Sequence, residues 1–283
     1  MIPKHRGTLF LVSAALLWSL GGVLIKSVTW NPLAIAGMRS GIAALVFLCY
    51  LRRPRFTFSP TQIGGAVAYA GTVVLFVVAN KLTTAANAIV LQYSAPIYVI
   101  LLSKPLLHEP PKGRDFLAAG AVFAGMTLFF LGRLEWGSLL GNLVAIGSGV
   151  TFALLAIFLR LERNGSPFEA VLLGNVLAAA IGLPFMRGGF PEAQGILFLL
   201  ILGVFQIGVA YLFYVEAVKT VTAFEACFIP IIEPILNPVW VFLFLGEAPG
   251  RWALLGGGII LLSVVWWSLR SALTVKENSQ KAR

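Results

Sequence analysis

The chain has 283 residues, of which 59% are apolar and only 11% charged, and its net charge is +10. So few charges exclude a soluble globular domain, in which about a quarter of residues are charged. The basic residues sit in short connections between apolar runs, which excludes a nucleic-acid surface and fits the Lys/Arg bias of membrane boundaries.

Apolar runs of about 20 residues recur along the chain, each long enough for a hydrocarbon core of about 30 Å. They predict ten helices: 7–26, 32–51, 61–80, 85–103, 114–131, 137–160, 167–186, 195–217, 222–245 and 251–270. The runs do not alternate, which argues against an outer-membrane barrel. The first reads as a retained span rather than a cleaved signal. It carries Trp18 and Gly21-Gly22; the second carries Pro32 and Arg39, the cation that lies well inside a span.

The third span places Tyr69, Thr72, Phe76 and Asn80 on one helical face, and the fourth does the same with Asn87, Leu91, Ser94 and Tyr98. Tyr211 and Tyr214 form the counterpart stripe of the eighth span. The ninth contains Glu225 and Glu233, the carboxylates well inside a span, and Pro230, Pro234 and Pro238 at intervals of four. Each proline removes a backbone hydrogen bond and crowds the preceding turn, so this helix is expected to kink and to serve as a hinge, with Pro96 giving the fourth span a matching kink. A static kink is the alternative. Gly256-Gly257-Gly258 in the tenth span reads as a packing surface. The polar tail, 272–283, has nothing to bury and is expected to lack structure. Cys49 and Cys227 lie in apolar stretches and read as buried thiols.

Of the Lys and Arg residues outside the spans, fifteen fall on the side of the termini and only Lys26, Lys81, Arg133, Arg187 and Arg251 on the other. That bias places both termini in the cytoplasm. The cluster Arg52, Arg53 and Arg55 reads as a topology signal touching anionic lipid headgroups.

The chain also repeats itself. A shift of 138 carries Ala79, Lys81, Thr84 and Ala85 onto Ala217, Lys219, Thr222 and Ala223, and Pro96, Glu109 and Pro111 onto Pro234, Glu247 and Pro249. Two units follow, 1–133 and 134–271, each with five spans. An odd number of spans makes consecutive copies cross the membrane in opposite senses. The expected fold is an all-α membrane protein of ten transmembrane helices in two inverted five-helix repeats. Such repeats exchange conformations to open a central site to either side in turn. Because one chain supplies both units, a monomer can suffice.

The sequence resembles the drug/metabolite transporter superfamily in its ten-span form. The resemblance rests on Ala14-Ala15-Leu16-Leu17-Trp18-Ser19, Pro32, Arg39, the stretch Ala79–Ala85, Pro96, Glu109, Pro234 and Gly246-Glu247. It is further similar to the bacterial amino-acid and metabolite exporters of that superfamily, including the aromatic amino-acid type. This implies export across the inner membrane; sugars and drugs are cargo elsewhere in the superfamily and stay open.

The stripes outline the chemistry. Trp18, Tyr69, Thr72, Phe76, Asn80, Asn87, Ser94, Tyr98, Tyr211 and Tyr214 would line a part-aromatic, part-polar cavity suited to a small amphiphile. The competing reading makes the tyrosines interface residues and the amides helix-to-helix glue. A phosphate ester would call for several inward cations, and only Arg39 is available. Arg39 is expected to pair with an acid or with carbonyls, and a proton cycling on Glu233 or Glu225 would couple transport to the proton gradient. No metal site and no cofactor is indicated, nor a P-loop. His5 and His108 both lie in polar flanks, so an intramembrane enzyme lacks its base. A channel would need a filter or a symmetric ring, and neither is visible.

Overall fold

The computed structural model describes residues 4–131, 138–236 and 250–281, and no strand occurs among them. The elements are α1 (Lys4–Trp18), α2 (Gly21–Ser27), α3 (Pro32–Leu51), α4 (Pro60–Leu82), α5 (Ala85–Gln92), α6 (Ala95–Leu107) and α7 (Gly113–Phe129). After them come α8 (Leu139–Leu161), α9 (Pro167–Gly182), α10 (Ala193–Ile201), a π-helical stretch Leu202–Val209 and α11 (Ala210–Val218). The last are α12 (Ala223–Phe228), a 3-10 turn Ile229–Ile232, one more helical turn over 233–236, and α13 (Arg251–Lys281).

Local chemistry sets the helix starts. Asn31 Oδ1 accepts from the Leu33 amide and Ser59 Oγ from the Gln62 amide, each just before a proline at the first helical position. Thr84 and Thr222 cap α5 and α12 in the same way, accepting from the amides of Asn87 and Glu225. Inside a bilayer, helices leave no backbone group unpaired, which is why apolar runs of this length fold so.

Among the described residues, eight helices are long and apolar enough to cross a membrane: His5–Ser27, Pro32–Leu51, Pro60–Leu82, Asn87–Leu107, Leu139–Leu161, Pro167–Met186, Ala193–Val218 and Arg251–Ser271. Two of the ten expected spans are missing from that set. The fifth, α7, is a helix of 17 residues, and the ninth passes outside the described residues after Leu236, together with Pro238.

The long helices pack in defined pairs. α4 lies along α8 and α9, α3 along α9 and the π-helical stretch, α1 along α11, and α7 along α13. Small residues set the closest crossings. A Cβ on Gly256 would lie 2.3 Å from the Phe129 amide nitrogen, so α13 seats directly on the α7 backbone. Gly258, by contrast, faces open space and takes no part in that packing.

Three expectations need correction. The tail does not abandon structure at residue 271: α13 continues to Lys281, because no proline or glycine stops it and Lys, Glu and Gln favour helix. Cys49 is exposed on α3, since that face of the helix points away from the bundle; only Cys227 is buried. The first span is not continuous, breaking at Ser19-Leu20 just before the glycine pair.

The α3–α9 crossing allows a stability prediction. A Cβ on Gly182 would sit 2.4 Å from the Leu33 carbonyl oxygen and 2.5 Å from Gly37 Cα, both backbone atoms that cannot step aside alone. Gly182→Ala is therefore expected to cost about 1–3 kcal/mol, the usual range for overpacking. Thermal unfolding in detergent measures it, with Gly258→Ala as the neutral control.

Candidate functional site

Near mid-length of the central helices lies a partly open cavity of about 40 Å³. Trp18, Thr72, Phe76, Phe152 and Tyr211 form much of its wall, and Arg39, Gln92, Tyr93, Gln206 and Glu233 supply the polar groups.

Arg39 comes from α3 and is 1% exposed. Its guanidinium donates from Nη1 to Gln206 Oε1 at 3.1 Å and from Nη2 to the Val73 carbonyl at 3.0 Å. Its Nε has no hydrogen-bond partner among the described residues, and neither has the buried Trp18 Nε1. Gln206 sits in the π-helical stretch. The wider π turn re-aims side chains, and such turns concentrate at functional sites.

Glu233 is 7% exposed and follows the 3-10 turn of the ninth helix. The Tyr93 hydroxyl approaches its Oε2 at 2.5 Å and the Pro230 carbonyl at 2.9 Å, so it donates to one and lies close to the other. The Tyr93 contact bridges the fourth helix to the Pro230 carbonyl, which also accepts from the Glu233 amide in the 3-10 turn. Arg39 and Glu233 form no ion pair with each other, although both line the same cavity. Gln92 Nε2 donates to Ser148 Oγ at 2.8 Å, and Ser148 Oγ to the Thr72 carbonyl at 3.0 Å, tying α5 and α4 to α8.

An aromatic layer borders the cavity. The Trp18 ring lies 5.0 Å from Tyr211 and 5.3 Å from Tyr214, and Tyr69 meets Tyr211 edge-on at 4.7 Å. Tyr69 OH donates to Asn175 Oδ1 at 2.9 Å. These contacts fix the rings and seal that side of the cavity with close-packed aromatic surface.

The structure thus gathers part of the expected set. Trp18, Thr72, Phe76, Tyr211, Arg39 and Glu233 line the cavity, while Tyr69 and Tyr214 stand in the layer behind it. Asn80, Asn87, Ser94 and Tyr98 do not line it. Asn80 Nδ2 donates back to the Phe76 carbonyl, Asn87 Nδ2 to Thr83 and Asn142, and Ser94 Oγ to the Leu91 carbonyl. Tyr98 packs against the apolar core. Glu225 is also elsewhere: its Oε2 accepts the Thr222 amide in a capping box at the start of α12.

For Ser94 and Tyr98 the reason is a break in the fourth span: the helix is interrupted at Tyr93-Ser94, so a stripe drawn with one period from Asn87 to Tyr98 crosses onto another face. Gln92, Tyr93 and Gln206 were not anticipated. Gln206 carried a signal, being the lone amide in an apolar run from 195 to 217.

Sequence and fold comparisons point the same way. An uncharacterized transporter of Archaeoglobus fulgidus is 27% identical over 262 residues, covering 92% of this chain and 95% of that one. An uncharacterized protein of Pseudomonas aeruginosa is 26% identical over 279 residues, covering 93% and 96%. A solved crystal structure superposes with a TM-score of 0.80 at 19% identity, over 94% of this chain and 98% of its own, which establishes a shared fold. The EamA-like transporter family matches residues 5–131 and again residues 139–269. Matched over nearly its whole length, the chain belongs to the EamA-like transporter family of the drug/metabolite transporter superfamily, and is a multi-pass membrane transporter of small solutes rather than an enzyme.

Proposed function

We propose that this transporter exports amino acids, with apolar or aromatic side chains favoured, or similar zwitterionic metabolites, across the inner membrane by alternating access. One observation carries the reading: two opposite charges, Arg39 and Glu233, share one aromatic cavity without pairing. Buried charges demand partners. A solute carboxylate at Arg39 Nε and Trp18 Nε1, and its ammonium at Glu233, would satisfy both charges and both orphan donors at once. Its side chain would then rest against Phe76, Phe152 and Tyr211.

The same arrangement suggests the coupling. Glu233 would hold either a proton or the solute ammonium, so a proton entering from outside displaces the solute to the outside, and release of that proton to the cytoplasm frees the carboxylate for the next solute. Export by exchange against protons follows.

Two units of opposite sense, five spans each and ten in all, would supply the motion. The double family match supports this reading. So does the packing, which keeps its pattern when the units are exchanged: α4 on α8 answers α11 on α1, and α5 and α6 on α8 answer the turn Ile229–Ile232 on α1. The cations agree as well. Lys26 donates to the Thr83 carbonyl at the end of α4, and Arg160 to the Val218 carbonyl at the end of α11. Both termini would lie in the cytoplasm, and a monomer would suffice.

The shift of 138 carries the turn Ile229–Ile232 onto residues 91–94, where α5 gives way to α6. Both interruptions precede a proline, Pro234 and Pro96. We assign these paired breaks, with Pro230, as the hinges. Pro234→Ala restores a backbone donor there, and is expected to slow turnover about tenfold, a barrier change near 1.4 kcal/mol, while leaving half-saturation unchanged. Unchanged turnover would mean a static kink.

Proteoliposome flux of labelled amino acids, with and without an imposed pH gradient, tests the function. Movement of a sugar or cationic drug with no amino acid flux would reject the cargo. Flux indifferent to the gradient would reject the coupling.

A further inference from the structure

A second crevice, remote from the central cavity, opens where α6, α7, α12 and α13 meet. It holds about 420 Å³ and is bordered by Ser103, His108, Lys112, Arg114, Trp267 and Ser271. The backbone makes this opening: His108 adopts a left-handed conformation with φ 56°, turning the chain out of α6 before Pro110-Pro111 leads it into α7.

The polar groups here are unevenly committed. Asp115 accepts from Trp267 Nε1 at 2.7 Å and from the Lys112 amide at 2.8 Å, and Glu109 lies 3.2 Å from Arg160 Nε and 3.9 Å from Arg163. Arg114 sits 5.8 Å above the Trp267 ring, 3.8 Å from Asp115 Oδ1, and donates to the Arg270 carbonyl. Of the lining charges, Lys112 and Arg114 face Glu109 and Asp115, and both carboxylates are engaged, whereas Lys112 is exposed and its ammonium forms no ion pair among the described residues.

The crevice is not closed on the lipid side. Ile100 lines it and also lines an apolar groove of about 280 Å³ between α6 and α7, bounded by Ile97, Leu101, Phe116, Gly120 and Phe123. Nothing stands within 4 Å of a Cβ built on Gly120. A crevice that presents the uncommitted Lys112 ammonium at the helix ends thus runs into an apolar trough along the helices.

We propose that this pair of spaces holds one anionic phospholipid, with its phosphate beside Lys112 and Arg114 and an acyl chain laid between α6 and α7. A soluble anion would use the crevice alone and leave the trough unexplained. A zwitterionic lipid would bring its own cation to a crevice whose carboxylates, Glu109 and Asp115, already have partners. Basic pockets between transmembrane helices are known to recognise anionic headgroups on this principle.

Native mass spectrometry of the full-length protein, in detergent with equal phosphatidylglycerol and phosphatidylcholine of the same acyl chains, tests the site. The wild type is expected to retain one phosphatidylglycerol in preference. Lys112→Ala should cut that preference about fivefold, the effect of one cation at an anionic surface. Gly120→Trp should fill the trough and lower retention of both lipids. Equal retention of the two lipids by the wild type would overturn the proposal, as would preference undiminished in Lys112→Ala or full displacement by glycerol phosphate. Lys112→Gln repeats the charge test should the alanine variant be poorly folded.

Discussion

Arg39→Met is expected to abolish amino-acid flux, and adding Gln206→Leu is expected to restore stability without restoring flux. The single change leaves Gln206 Oε1 buried and unpaired, because Arg39 Nη1 is its donor at 3.1 Å. An orphaned buried acceptor costs about 1–3 kcal/mol. Removing the partner amide as well makes the pair apolar and returns most of that loss, since replacing both members is often neutral. Transport behaves differently if Arg39 receives the solute carboxylate, for no apolar pair replaces a charge. Arg39→Lys separates the roles further. A lysine keeps the charge but loses the planar fork and the Nε donor, so half-saturation should rise by about tenfold to a hundredfold, the worth of one charge-assisted hydrogen bond. Thermal unfolding and flux on the same preparations decide between the readings. Recovery of flux in the double variant would make Arg39 a purely structural tie between α3, α4 and the π-helical stretch.

Glu233→Gln is expected to end proton-driven accumulation while the protein remains folded. A glutamine still accepts the hydrogen bond that Tyr93 donates, so the contact between the fourth and ninth helices persists. It neither binds a proton at physiological pH nor neutralises an ammonium group. Gradient-driven flux should fall to the level of empty liposomes, with half-saturation for exchange raised about tenfold or more. Glu225→Gln is the matched control: its carboxylate accepts the Thr222 amide in the capping box, a place that glutamine fills equally well. Transport by that variant should be unchanged. Gradient-driven flux surviving in Glu233→Gln would remove Glu233 from the coupling.

The family assignment bears on how these tests are interpreted. Membership in the EamA-like transporters and the likeness to uncharacterized relatives establish a membrane carrier of small solutes. The charge arrangement inside the cavity is what narrows the cargo, and both tests above probe that arrangement directly. The lipid site at α6 and α7 shares no lining residue with the cavity, so its failure would leave the transport reading intact.

What could be read along the chain was whatever depends on neighbours in sequence. Apolar length gives the helices at His5–Ser27, Pro32–Leu51 and the other spans, because a bilayer core asks only for continuous apolar surface. Asn31-Pro32, Ser59-Pro60, Thr84 and Thr222 mark helix starts, because a cap bonds a backbone amide two or three residues on. Arg39 and Glu233 stand out for a related reason: a charge inside a span is costly and needs a purpose.

Which side chains meet across the bundle was decided by the tertiary fold. Whether Asn87 or Gln92 faces the cavity depends on how α5 is rotated where it packs against α8: Asn87 bonds Asn142 of α8, and Gln92 bonds Ser148 of α8 beside the cavity. Gln206 reaches Arg39 across a separation of 167 residues through a π turn. No local period encodes such a turn. Periodicity assigns a face only while a helix stays regular, and here the helices beside the cavity are the ones that lose regularity.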